Sequence, residues 1–252
     1  MAAYGKTAVA FRCETVRQCG APARTGRTKR RPSRQTISET FRTIPIRSPS
    51  RLSALLLAGT TAAFADPVVP PPAWPSVKDN PVTLAADPVR PLLMGTLRVS
   101  LDRSTLADTR NAIGTGVAQR QGKGTDALDW LCYTVAVADA APVQRVWLTS
   151  SELSRGRIDA VVAVELPAGA VANAQCPDLP ARFKPVRFDD GLWLGTPTTE
   201  LRKSLGIPSK TGPLFSSLFQ GQTGNLQMVS STVIEFKGLR AVSLYVAHSS
   251  QN

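Results

Sequence analysis

Between Arg51 and Asp66 runs an uncharged stretch, Leu-Ser-Ala-Leu-Leu-Leu-Ala-Gly-Thr-Thr-Ala-Ala-Phe-Ala, that constrains the fold more than any other feature of the chain. Arg42, Arg47 and Arg51 precede it, and it closes on Ala63-Phe64-Ala65. A positive n-region, a short apolar h-region and a small-x-small end are the pattern that signal peptidase reads. The expectation is cleavage near Ala65 and a folded domain beyond it, in a periplasmic or secreted setting. A membrane-spanning helix needs about 20 apolar residues, so the cleaved chain is not expected to be an integral membrane protein. The alternative, a buried helix of a larger domain, is opposed by the arginines before the stretch and the prolines after it. Those prolines (Pro67, Pro70, Pro71, Pro72, Pro75) make residues 66–90 a Pro-rich linker, an extended tether rather than a helix continuation. No cysteine follows the h-region, so no lipid anchor is expected there.

Residues 1–42 exceed an ordinary n-region. Three readings stand: an artefact of the assigned start, with translation beginning nearer Ile44 to Arg51; a basic arm centred on Arg24 to Arg34; or an organellar transit peptide, Arg- and Ser-rich and poor in acid. Charge then divides sharply. Residues 1–65 carry 12 Lys/Arg against 2 Asp/Glu, and the other 187 of the 252 residues carry 18 against 16. A domain that tracks phosphates keeps its basic residues on the folded part, so no nucleic acid partner is expected.

Cys13 and Cys19 belong to the leader, which leaves Cys132 and Cys176. An even count in an oxidising compartment reads as one disulfide, with two independent buried thiols as the alternative. The loop would span about 44 residues, a stabilisation on the order of 4 kcal/mol in the chain-entropy model.

Two segments share an order of elements. Thr96 to Leu101 alternates with Leu97, Val99 and Leu101 on one face, as a strand does. Ser104 can then cap a helix running to Ile113, with Gly114 as its left-handed stop. Further on, Leu192-Trp193-Leu194 leads to Thr196, Pro197 at the first helical position, Glu200, and Leu201 and Leu205 on one face, with Gly206 and Pro208 ending the helix. After a Gly-rich loop, strands are expected over Trp130–Val137, Val143–Ser150 and Ile158–Leu166, and over Leu214–Phe219, Leu226–Phe236 and Leu239–Ala247, with turns at Gly156 and Gly238. The fold class expected is α+β: tandem helix-plus-antiparallel-hairpin repeats, residues 91–180 and 188–252, forming a sheet with helices on one face. Chance likeness between two short helix-plus-hairpin patterns is the competing account.

Catalytic constellations are missing. The single histidine, His248, lies four residues from the end, where a rigid triad is hard to hold, so a strand-end or solvent-facing role is expected. One His and no cysteine cluster leave no zinc site, and no cofactor is expected. Gly114 to Thr125 is no phosphate loop: Val117 stands where the first Gly is needed and the segment follows a helix, so a mobile surface loop is the reading. Asp189-Asp190 and Ser150-Ser151-Glu152 read as polar turn and strand-end residues.

Aromatics remain. Trp130, Tyr133, Trp147, Trp193, Phe219, Phe236 and Tyr245 fall on expected strands, pointing either into the core or onto the open sheet face. On the open face, Trp147, Trp193 and Tyr245, edged by Arg145 and Arg240, would anchor a partner.

Gly195-Thr-Pro-Thr-Thr-Glu-Leu-Arg-Lys-Ser-Leu-Gly-Ile-Pro208, followed by Val233-Ile-Glu-Phe-Lys-Gly-Leu-Arg-Ala-Val242, resembles the BamE-like and beta-lactamase-inhibitor-protein-like group over residues 188–245. Modules of that group share a Gly-x-x-x-x-x-Leu-x-x-x-Leu-Gly-x-Pro helix signature and a Phe-x-Gly hairpin, and the inhibitors are tandem repeats with disulfides. The chain departs from the outer-membrane assembly component in lacking its lipoprotein cysteine. The expectation is a non-enzymatic exported module that docks a protein or cell-envelope component; a secreted enzyme inhibitor and a hydrolase with an unrecognised site are the alternatives.

Overall fold

The computed structural model describes residues 68–76, 81–136, 142–167, 169–205 and 212–251; the basic leader, Ala65, Gly206 and Pro208 lie outside them. Their strands are β1 (Val82–Thr83), β2 (Leu92–Met94), β3 (Leu97–Val99), β4 (Gln119–Gln121), β5 (Leu128–Val135), β6 (Gln144–Ser151), β7 (Ala160–Glu165), β8 (Val186–Phe188), β9 (Leu214–Thr223), β10 (Leu226–Lys237) and β11 (Arg240–Gln251). Their α-helices are α1 (Leu106–Ile113) and α2 (Thr198–Leu205). None is long and apolar enough to cross a membrane.

Eight strands make one sheet in the order β1-β9-β10-β11-β7-β6-β5-β4, and β3-β2-β8 make a second, small one. Ladders within the large sheet are antiparallel except β1 with β9. The meander β5-β6-β7 and the meander β9-β10-β11 therefore join through their last strands. Both helices pack on one face: Leu106 and Ile113 of α1 and Leu201 and Leu205 of α2 share a core with Leu131, Leu148, Val161, Ile234 and Leu244 of the sheet. The architecture is sheet-rich α+β.

Local chemistry sets the element ends. Thr105, not Ser104, caps α1: its Oγ1 accepts the Asp108 N–H at 3.0 Å and donates to the Asp108 carboxylate at 2.7 Å. Ser104 closes the preceding turn instead, its Oγ accepting the Ser100 N–H at 3.0 Å. Gly114 ends the helix at φ 80°, its N–H donating to Arg110 O, a conformation in which glycine carries no Cβ penalty. Leu192 to Leu194 is not a strand but a buried approach to α2. Part of the Gly-rich segment expected to be a mobile loop is β4, which pairs with β5 and so covers an edge that would otherwise offer unpaired N–H and C=O groups.

Gly95 turns β2 into β3 at φ +59°, and a Cβ there would overlap the Arg182 carbonyl oxygen. Gly95→Ala is expected to cost about 1–3 kcal/mol from the left-handed backbone alone, with the overlap adding to it, read as a lower urea midpoint at unchanged m-value.

Tyr133, fully buried on the helix side, donates its hydroxyl to Thr115 O at 2.9 Å. Burial pushes its phenol up to about 12, with Arg110 pulling it slightly down. The folded value lies above the unfolded one, so its contribution is complete below about pH 10 and is lost as pH rises to about 12. Tyr133→Phe is expected to flatten that alkaline loss by about 2 kcal/mol, measured by urea denaturation across that range.

Candidate functional site

Alternation along each strand sends a second set of side chains to the helix-free face. One register row crosses the sheet there: Cys132 opposite Trp147, Trp147 opposite Val162, Val162 opposite Tyr245, and Tyr245 opposite Val233. With Trp130 and Cys176 these form a second buried cluster, separate from the core under the helices. Cys132 and Cys176 are joined as a disulfide, Cα atoms 4.7 Å apart, which pins the loop around Cys176 to this face. Thr134 of β5 holds the same loop: its Oγ1 donates to Cys176 O and its N–H to Pro177 O, each at 2.9 Å.

The part of the face around Trp130, Trp147 and Tyr245 is covered by the chain's own residues 68–76. The Nε1–H groups of Trp130 and Trp147 both donate to the carbonyl oxygen of Val69, each at 3.1 Å, which uses both lone pairs of one acceptor. On its other side the Val69 N–H donates to Gln119 Oε1 at 3.2 Å, and Gln119 Nε2 donates to Gln175 O at 2.9 Å in the disulfide loop. Five residues on, the Trp74 ring lies 5.6 Å from that of Tyr245, tilted by 52°. Pro70, Pro71 and Pro72 lack N–H groups and restrict φ, which favours an extended path and leaves these three positions without backbone donors in need of partners. Residues 68–76, which the sequence assigns to a tether, are docked on the sheet.

The expected anchor residues divide. Trp147 and Tyr245 lie on this face at 3% and 4% exposure, beneath the docked segment. Arg145 is two residues from Trp147 on β6; its Nη2 donates to Val171 O at 3.3 Å while its Nε is buried with no partner, and burial lowers its pKa. Trp193 is elsewhere: it is off any strand, in the core under the helices, donating to Gln144 Oε1 at 2.8 Å and packing against Phe188. Arg240 begins β11 and pairs with Glu165, which raises its pKa. Gln119 and Val69 carry no sequence signal for this role, because each acts through one amide group that only tertiary placement brings to the face.

His248 meets a serine and an acid. The Ser230 hydroxyl donates to Asp87 Oδ1 at 2.8 Å and lies 2.8 Å from His248 Nδ1, which is 3.4 Å from Asp87 Oδ2. One ring nitrogen thus faces both groups, whereas a triad needs the hydroxyl on one nitrogen and the acid on the other. Ser230 is 1% exposed, closed to a substrate carbonyl. The cluster ties Asp87, in the segment before β2, to the end of the sheet. Among the described residues no group of three or more His, Cys, Asp or Glu could hold a metal ion.

Comparison of the chain with family models, with curated proteins and with solved structures finds no match.

Proposed function

We infer that the chain is an exported, non-enzymatic binding module, periplasmic or secreted, that docks a protein or cell-envelope component through its helix-free sheet face. The observation that carries this is the pair of indole donors converging on one backbone carbonyl: it is a way of holding a peptide chain, seen here with a peptide chain in it. The disulfide beside it agrees with an oxidising compartment.

The module is proposed to consist of two tandem units, as the resemblance to BamE-like and inhibitor-type modules implies. Thr198 stands 92 residues after Leu106, and Leu205 stands 92 after Ile113, so the helices match at both ends. Each helix is entered from an equivalent bridge, Thr105 with Arg157 and Pro197 with Arg240. The flanking bonds correspond too: Leu106 N–H to Gly156 O with Thr198 N–H to Leu239 O, and Ile158 N–H to Ser104 O with Ala241 N–H to Thr196 O. The last strands are offset by 83, from Arg157 to Arg240. Under that offset Val162 faces its own equivalent Tyr245, while the pairs Ala160 with Ala247 and Val164 with Ser243 exchange. Such a self-complementary contact is what a two-fold relation between like units produces.

Intact mass and N-terminal sequencing of protein recovered from culture fractions, with and without reduction, test the placement. The expected product begins near Asp66 and carries one reducible bond; material that keeps Met1 and free Cys132 and Cys176 thiols would sink the export reading. Docking is tested in the same fractions with photo-crosslinkers at Val229 and Ser231, on the face, and at Arg110, on α1. Adducts with envelope proteins are expected from the face alone. Tight stoichiometric capture of a hydrolase would make the module an inhibitor, and equal crosslinking from both sides would remove the sheet face as the dock.

A further inference from the structure

We propose that this face is a receptor for an extended, proline-containing segment of a partner protein, and that residues 68–76 are its resident occupant, held in cis and displaced when such a segment binds. The inference rests on the docking reading above and supplies the chemistry of the partner.

The occupant shows what the face accepts. Trp130 and Trp147 hold a main-chain carbonyl and Gln119 the N–H of the same residue, so at Val69 the face reads backbone rather than side chain. The next three residues are prolines, whose restricted φ keeps the chain extended before binding and lowers the entropy lost on docking. Tyr245 then takes a ring five residues beyond the clamped carbonyl. A ligand therefore needs a free carbonyl, a following run of proline and an aromatic side chain at that distance, and it needs no charge.

The occupant is also lightly held. Its polar attachment converges on Val69, and Val68 and Trp74 remain 57% and 39% exposed. Segments with few buried contacts open locally well below the global unfolding free energy. Its advantage over a free ligand is its tether: β1 begins at Val82, eight residues after Trp74. A short tether gives an effective concentration in the millimolar range, which a free peptide must overcome.

The test cuts that tether in the folded full chain. Residues 77–80 are replaced by a protease site, the purified protein is clipped, and a fluorescein-labelled synthetic peptide of residues 66–76 is titrated while anisotropy is followed. Saturable binding to the clipped protein is expected, with binding to the unclipped protein at least about 100-fold weaker. Trp130→Phe with Trp147→Phe, which removes both N–H donors and keeps two rings, is expected to weaken the clipped protein's binding by about tenfold or more. A peptide with glycine at the three proline positions should bind more weakly than the parent. The proposal is overturned if clipping unfolds the domain, if the clipped and still folded protein takes up no labelled peptide, or if the glycine peptide binds as well as the parent. Face-specific crosslinks to envelope proteins that persist in those cases would leave the docking reading standing and remove only the proline-rich partner.

Discussion

Replacing Cys132 and Cys176 together by serine is expected to lower the stability of the folded domain by about 2–5 kcal/mol. The bridge closes a loop of 44 residues that contains β6 and β7, so without it the unfolded chain regains the freedom of two central strands. Melting should fall by about 2–4 °C for each kcal/mol in a domain of this size. A local consequence should accompany the global one. The loop that presents the Gln175 carbonyl to Gln119 is fixed by Cys176 and by Asn173, whose Oδ1 accepts the Gln175 and Cys176 N–H groups at 3.1 and 2.7 Å. Gln119 in turn holds Val69. Amide exchange in residues 68–76 should therefore accelerate in the serine variant at temperatures where the sheet is still protected. A double variant that melts within a degree of the parent would show that the bridge adds nothing to stability.

Trp130→Ala is expected to cost about 3–5 kcal/mol, against about 1 kcal/mol for Trp130→Phe. Trp130 is fully buried, with Val69 across from it and the sheet beneath, so the alanine variant loses the apolar transfer term and leaves a cavity that rigid strands cannot close. Losing the N–H is the smaller part, since Trp147 still donates to the Val69 carbonyl and no buried acceptor is stranded. Urea denaturation of the two variants separates ring from donor. Protease cleavage within residues 68–76 should rise most in the alanine variant, because the segment loses both a donor and the surface it lies on. Equal losses for alanine and phenylalanine would mean that the hydrogen bond, not the ring, dominates.

Much of the local structure is legible because short-range physics decides it. Alternation at Leu97 and Val99, the hairpin turn at Gly238 and the stop at Gly114 are properties of a few adjacent residues, and strands and turns fall close to the expected places. The cap shifted by one residue, from Ser104 to Thr105, because both hydroxyls fit the pattern and only the turn after β3 assigns Ser104 elsewhere. Trp193 shows the limit more clearly. An apolar Leu-Trp-Leu run suits a strand or a buried connection equally, and the choice fell to packing against Phe188 and to the buried amide of Gln144.

The candidate site was legible only as an inventory. Sequence alone identified Cys132 and Cys176 as the cysteines that would pair, placed Trp147, Tyr245 and Arg145 on elements that could share a face, and marked the prolines as an extended stretch, since parity, strand period and restricted φ are all written in residue identities. Tertiary structure alone decided that β7 pairs with β11, that the indoles of Trp130 and Trp147 converge on one carbonyl, and that residues 68–76 lie over these indoles and Tyr245. Those outcomes depend on contacts between residues 61 or more positions apart along the chain for the indole bonds, and their energy comes from the fit of two surfaces, which no local pattern of residues encodes.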